Sequence, residues 1–162
     1  MTTSVPLHDA AELTRYIEER YHVRLRAQLP ELAALSAKVE QVHAGRPGVP
    51  TGLADILTRM IGEMEVHMKK EELILFPAIR NGAGPVLGQP IAAMRHDHVG
   101  HIEDARTILG LTQNLTLPEN ACRTWTSLYD GLGVLVRDLE EHLRLENEVL
   151  FPQFEATDRM QG

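Results

Sequence analysis

The sequence predicts an all-α protein, an antiparallel up-down four-helix bundle, from three observations. Four long segments repeat apolar residues with the helical period, and stretches rich in glycine and proline separate them. Runs of alternating β-branched residues, which are typical of strands, do not occur. Because the connections are too short to cross the molecule, neighbouring helices must run in opposite directions. The 162 residues suffice for one core of ordinary size, and we therefore expect a single domain over 1–162.

The first helix is expected over 9–43. Asp9 is followed three residues later by Glu12, which is the spacing of a capping pair, and the glycine- and proline-rich AGRPGVP ends the segment. Pro30 lies inside the segment and predicts a kink or a short break, because proline removes a helical hydrogen bond and clashes with the preceding turn. The second helix is expected over 51–77.

The third helix is expected over 90–110, since a proline at position 90 is tolerated in a first helical turn. The fourth helix is expected over 117–150, because residues 116–119 have the Thr-x-x-Glu form of a capping box. The last ten residues, 153–162, are expected to form a polar tail.

Composition excludes several classes of protein. The chain has 16 basic and 23 acidic residues, a net charge of −7, and so lacks the basic face that binding to nucleic acid requires. No stretch approaches the roughly 18 apolar residues of a membrane span, and the first twenty residues do not resemble a secretory signal. We therefore expect a cytoplasmic protein that contacts neither nucleic acid nor membrane. A single cysteine, Cys122, excludes an internal disulfide and an all-thiolate metal site.

The second and fourth segments each carry an inward seam in which steps of four and three alternate, as expected for helices packed in a bundle. The seam of the second segment consists of Leu53, Leu57, Met60, Met64, His67, Glu71, Ile74 and Ala78. The seam of the fourth segment consists of Leu128, Leu132, Leu135, Leu139, His142, Glu146, Val149 and Gln153. In both seams a histidine and a glutamate occupy positions where packing favours leucine.

The two seams belong to an internal repeat. HMKKEELILFP, at 67–77, and HLRLENEVLFP, at 142–152, share His-x-x-x-Glu and a later Phe-Pro. Two buried carboxylates facing each other would repel and lose solvation unless positive charge lay between them, and a dinuclear metal centre supplies that charge. Histidine and carboxylate ligands suit iron, manganese or zinc. The alternative, a metal-free core of hydrogen-bonded His–Glu pairs, explains one such pair better than two matching ones.

Further ligands should come from the first and third helices. His22 lies on the inward face of the first helix. His43 lies 21 residues later, which on a continuous helix is about 31 Å away, so both cannot bind one centre. We choose His22, because the helix dipole and the terminal carbonyls already explain a histidine at a C-terminus.

On the third helix, His98 is the best placed of three histidines, because it lies four residues after Met94 and four before Ile102. His101 borders the same face and stays possible as a ligand, whereas His96 should face outwards. Asp97 is either an outer hydrogen-bond acceptor or channel acid, or a solvated aspartate. The other charged residues of MKKEE, at 68–72, are expected at the surface, Glu72 among them.

These motifs, in this order, resemble the hemerythrin-like domain of the repair-of-iron-centres proteins, a bacterial di-iron family associated with nitrosative and oxidative stress. The resemblance extends over YHVRLRAQLPEL (21–32), KVEQVHAGRPGVP (38–50), both repeat motifs, Met-x-x-acid-His at 94–98 and ACRTW (121–125). The family pattern is carried here by His22, His67, Glu71, His98, His142 and Glu146, with both glutamates as bridges. Fuller family members have an additional N-terminal domain with paired cysteines, whereas here the first helix is expected almost at once and Cys122 is alone, so the sequence fits either a stand-alone homologue or a domain excised from a longer protein.

The resemblance implies two non-haem iron ions, bridged by an oxo or hydroxo group, with an open position for nitric oxide or dioxygen. It implies a role in restoring damaged iron–sulfur centres, by iron release or by processing of nitric oxide. Reversible binding or sensing of dioxygen or nitric oxide, and catalytic reduction of nitric oxide, are the alternatives. The resemblance to hemerythrins proper implies a site with five histidines, so coordination of a metal by His101 would favour a carrier of dioxygen or nitric oxide.

Overall fold

The computed structural model describes residues 4–83 and 85–155, and over these residues it consists of helices without strands. The predicted all-α, four-helix class is confirmed. Helix α1 covers 10–42, as Ala10–Ile17, the π-helical turn Glu18–His22, and Val23–Val42. Helix α2 covers 53–80, as Leu53–Lys70, the π-helical turn Glu71–Leu75, and Phe76–Arg80. Helix α3 is Gly88–Leu111, after a 3-10 turn at Pro85–Leu87. Helix α4 covers 123–150, as Arg123–Arg144 and the π-helical turn Leu145–Leu150, and the short helix Pro152–Glu155 follows it.

Helix α1 begins and ends close to its expected limits. The Asp9 carboxylate accepts a hydrogen bond from the Glu12 backbone N–H at 3.1 Å, and His43 is the C-terminal capping residue. The break expected at Pro30 is not observed, since Val23–Val42 is one uninterrupted α-helix. Pro30 is exposed, so water can bond the carbonyl that loses its helical partner.

Helix α4 begins at Arg123, six residues later than expected, so the prediction of a capping box at 116–119 is wrong. Asn120 adopts a left-handed backbone conformation with a φ of 63°, which ends any helical turn begun at Pro118. The capping atom is instead the Sγ of Cys122, which accepts from the Trp125 backbone N–H at 3.4 Å. The helical Pro152–Glu155 overlaps the start of the expected tail, whose residues 156–162 lie outside the described residues.

The interior consists of two apolar clusters, one towards each end of the bundle. The first includes Leu25, Leu57, Met64, Trp125 and Leu139. The second includes Ile17, Leu75, Phe76, Ile91 and Phe151. Each long helix passes from one cluster to the other, and a polar layer separates the two clusters along the bundle axis. None of the helices in the described part of the chain has the length and apolar character that crossing a membrane requires.

The π-helical turns change which residues face inwards. Each turn adds a residue to the helical repeat and so shifts the apolar stripe by one position beyond it. Ile74, expected in the α2 seam, is 63% exposed, whereas Leu75 is buried. In α4 the inward position passes from Val149, which is half-buried, to Leu150, and Gln153 is exposed. The expected seams therefore hold up to the two glutamates and fail after them.

Substitution of Leu75 and Ile74 tests this shift. We expect Leu75→Ala to lower the free energy of unfolding by about 2–5 kcal/mol, because it opens a cavity in the core. Ile74→Ala, the matched control, should change it by less than about 0.5 kcal/mol, because that side chain is exposed. Urea unfolding followed by circular dichroism measures both, and equal losses would contradict the shifted register.

Candidate metal centre

Six side chains from all four helices meet in the polar layer between the two apolar clusters. They are His22 from α1, His67 and Glu71 from α2, His98 from α3, and His142 and Glu146 from α4, and none is more than 2% exposed. All six are the residues singled out in the sequence. Among the described residues their ligand atoms form two groups, each lying within 4.8 Å of one another. The first group is His22, Glu71, His142 and Glu146, and the second is His67, Glu71, His98 and Glu146.

Both glutamates belong to both groups, and each uses its two oxygens separately. Glu71 places Oε1 3.1 Å from the Nε2 of His22 and Oε2 3.5 Å from the Nε2 of His67. Glu146 places Oε2 2.9 Å from the Nε2 of His142 and Oε1 2.9 Å from the Nε2 of His98. This is the arrangement of two carboxylates that bridge two adjacent cation positions.

Unsatisfied polar atoms mark the second group. The Nε2 atoms of His67 and His98, the Oε2 of Glu71 and the Oε1 of Glu146 are buried and make no hydrogen bond of acceptable geometry within the described chain, although His98 Nε2 and Glu146 Oε1 lie 2.9 Å apart. Leaving such atoms unpaired costs about 1–3 kcal/mol each, and native proteins contain few of them. Each member of the group contributes one such atom, and the ligand atoms of the group lie within 4.8 Å of one another, so a cation between them would satisfy all four. Nitrogen and oxygen donors of this kind fit iron, manganese or zinc.

Three of the histidines have an acceptor at Nδ1, which directs the lone pair of Nε2 into the site. The Nδ1 of His67 lies 3.0 Å from Asp97 Oδ2, so Asp97 is the outer acceptor that the sequence left open. The Nδ1 of His98 lies 2.8 Å from Asn147 Oδ1. Asn147 was not among the residues expected at the site.

The third acceptor, Glu72, corrects the expectation that it lies at the surface. Its Oε2 lies 2.7 Å from the Nδ1 of His22, and its side chain is only 22% exposed. Although burial opposes ionisation, hydrogen bonds from Arg26 and His22 lower the pKa of Glu72. Glu72 and Asn147 occupy equivalent positions of the internal repeat, each directly after a bridging glutamate. That equivalence was the signal in the sequence for both residues.

Aromatic rings pack against three of the histidines. Phe76 stacks on His22 with ring centroids 5.9 Å apart, and Phe151 stacks on His98 at 5.7 Å. These are the two phenylalanines of the repeated Phe-Pro. Tyr21 stacks on His142 at 5.4 Å. The rings restrict the orientation of the imidazoles and keep water away from them.

The electrostatics of the site suit cation binding. Burial and the neighbouring Glu146 raise the pKa of Glu71 well above its usual range. For Glu146, burial is outweighed by His142 and His98, which lower its pKa well below the usual range. Burial and His142 lower the pKa of His22 to about 4, so this imidazole is neutral at pH 7. The two pKa values are thus shifted in opposite directions, which favours a protonated Glu71 beside an ionised Glu146 when no cation is bound.

The remaining histidines lie outside both groups. The Nε2 of His43 lies 3.1 Å from Cys122 Sγ, and its ring centroid is 4.9 Å from that of Trp125, beside the first apolar cluster. His96 is exposed, as expected. His101 is buried beside the site, with its ring centroid 4.8 Å from that of His67.

The fold and this site define a class of protein, the four-helix bundles whose core holds a cation site of histidines and carboxylates. The sequence matches the Hemerythrin HHE cation binding domain over residues 14–154, and the chain belongs to this family. The resemblance drawn from the sequence motifs is thereby confirmed.

Three relatives are each named iron-sulfur cluster repair protein YtfE. The chain is 46% identical to that of Dickeya chrysanthemi over 142 residues, which are 88% of this chain and 64% of the relative. It is 49% identical to that of Edwardsiella ictaluri over 142 residues, with the same two shares. It is 47% identical to that of Salmonella newport over 152 residues, which are 93% of this chain and 67% of the relative. The chain thus spans about two thirds of the length of these relatives.

Substitution of Glu71 tests the electrostatics of the site. A raised pKa means that the Glu71 contribution to stability is present below the unfolded value of 4.5 and is lost as the pH rises. We therefore expect Glu71→Gln to raise the free energy of unfolding of the cation-free protein at pH 8, and to change it little at pH 4.5. Chelator-treated protein, unfolded in urea at both pH values, gives the comparison.

Glu72→Gln is the matched control for this experiment. Because the pKa of Glu72 is lowered, its contribution has the opposite sign, and its loss should destabilise the protein at pH 8. A Glu71→Gln effect that does not depend on pH would contradict the shared proton.

Proposed function

We propose that this protein is a non-haem di-iron protein, one hemerythrin-like domain that acts in the cytoplasm in the repair of iron–sulfur centres under nitrosative or oxidative stress. The ligands are His22, His67, Glu71, His98, His142 and Glu146. Two of the histidines and both glutamates would hold each iron, with room for an oxo or hydroxo bridge between the two ions. The observation that carries the proposal is the splitting of both carboxylates between two groups of ligand atoms.

The residues around the site support a role as a source of iron. The bound irons would supply redox chemistry and an open position for nitric oxide or dioxygen. Glu71 takes up a proton on its carboxyl group as the cations leave, which lowers the cost of two carboxylates in a dry interior. Asp97 and Glu72 hold His67 and His22 in the orientation that binds a cation. Loss of iron would then be accompanied by uptake of a proton at Glu71.

The names of the relatives support the biological role. Each is called an iron-sulfur cluster repair protein, and the matched residues cover most of this chain. We infer that damaged iron–sulfur proteins are the partners of this protein and receive iron from it.

A second candidate function is reversible binding or sensing of nitric oxide or dioxygen. The observation that favours it is His101, which is buried directly beside His67 and is not among the six proposed ligands. The imidazole of His101, a hydrogen-bond donor beside the site, would help to retain a small ligand on the iron as well as to convert it.

Iron transfer separates the two candidates. Protein reconstituted with ferrous iron and mixed with the apo form of an iron–sulfur protein should restore the cluster faster than the same amount of free ferrous iron. Cluster absorbance measures the rate. Transfer no faster than from free iron would contradict the role in repair, and reversible spectral changes with nitric oxide would then support the second candidate.

Removal of one bridge tests the ligand set. We expect Glu146→Leu to lower the iron content from about two ions per chain to less than one, while the helices persist, because leucine at this position continues the apolar seam. Iron analysis and circular dichroism measure the two effects. Glu148→Leu, at an exposed position of the same helix, and His43→Ala, beside Cys122, should both keep their iron. Full iron content in Glu146→Leu would contradict the bridging role.

A further inference from the structure

His101 is the one buried histidine beside the site that neither group of ligand atoms contains, among the residues that the structure describes. It lies on α3, three residues after His98, and is 5% exposed. Its ring meets that of His67 edge-on with centroids 4.8 Å apart, and lies 6.0 Å from that of His98. Its position therefore adjoins the second group of ligand atoms and not the first.

The Nδ1 of His101 is buried and has no hydrogen-bond partner in the described chain. By contrast, the two imidazoles of the second group each have an acceptor at Nδ1, namely Asp97 for His67 and Asn147 for His98. A buried nitrogen without a hydrogen-bond partner lowers the stability of the fold, and a leucine at the same position would avoid this loss. A hydrogen-bonding role towards something other than the protein explains why a histidine stands here.

A cleft between α2 and α3 gives access to this histidine. It has a volume of about 830 Å³, and His67, Lys70, His96, Asp97 and His101 are among its lining residues. His67 and His101 thus share a wall of the cleft, and this wall separates the cleft from the second group of ligand atoms. An imidazole offers at least one N–H donor in either protonation state.

We propose that His101 donates a hydrogen bond to a small ligand bound at the cation position of His67 and His98, and thereby sets the affinity of the centre for that ligand. The ligand class is a small linear molecule or anion with an acceptor atom at its far end. The proposal rests on the proposed di-iron function, and it concerns ligand retention rather than iron binding. His101 thus orients the bound ligand directly and does not coordinate the cation.

Azide is the probe that tests this role. We expect His101→Leu, in the iron-loaded full chain, to raise the Kd for azide by about tenfold or more, because hydrogen bonds to charged groups are among the stronger ones. Titration of the azide-to-iron charge-transfer absorbance measures the Kd. His101→Gln, which keeps an N–H donor, should restore part of the affinity. His96→Leu, on the same helix and cleft but exposed, should leave the Kd unchanged.

A vibrational measurement separates a hydrogen bond from a change of shape. The infrared stretch of bound azide should shift on exchange into D₂O in the wild-type protein and should lose that shift in His101→Leu. His101→Phe, which keeps an aromatic ring without a donor, replaces the leucine variant if the latter does not fold.

Three outcomes overturn the proposal. One is an unchanged azide Kd in iron-replete His101→Leu, and another is a D₂O shift that persists in this variant. The third is loss of iron from His101→Leu and His101→Gln alike, which would make His101 an additional ligand. Failure of the wild-type protein to bind iron would instead contradict the proposed function itself, so the two failures are distinguishable.

Discussion

Two acidic side chains, Glu71 and Glu146, face each other across a dry core, and the rest of the structure depends on how their charge is balanced. Both are fully buried, and each presents one oxygen to each group of ligand atoms. Repulsion between carboxylates in such an interior costs several kcal/mol unless cations or protons lie between them. Burial lowers the pKa of His22 and of His67, so these two imidazoles do not supply the balancing charge. The chain belongs to a cation-binding family, and cations between the two carboxylates would supply the rest of this balance.

The bundle concentrates its irregular backbone at this layer. In the described part of the chain there are three π-helical turns, and each contains one residue of the site, namely His22, Glu71 or Glu146. Such turns are frequent at functional sites, because an added residue lets a side chain point where a regular helix would not place it. In α2 and α4 the same turns bring Phe76 and Phe151 against the imidazoles. The repeated Phe-Pro and the repeated glutamate are thus parts of one structural device.

The sequence predicted the bundle and the six converging side chains, because apolar periodicity and an internal repeat report directly on which face is buried. It could not predict the change of register after Glu71, since a π-helical turn has no marker in composition and every later position was assigned with the regular period. Glu72 was misplaced for a related reason. A glutamate next to lysines resembles a surface residue, and only the packing of α1 shows that it accepts from His22. The start of α4 was missed because the left-handed Asn120 outweighs a good capping pattern.

The two groups of ligand atoms have different surroundings. In the first group, His22 and His142 make hydrogen bonds to the glutamates and stack on Phe76 and Tyr21. In the second group the four facing atoms are unpaired, and His67 lines a cleft open to solvent. A cation at the second position would satisfy atoms that make no hydrogen bond of their own, and His67 is the one residue of the six that lines the cleft. The second group therefore lies next to the cleft, whereas hydrogen bonds and aromatic rings enclose the first.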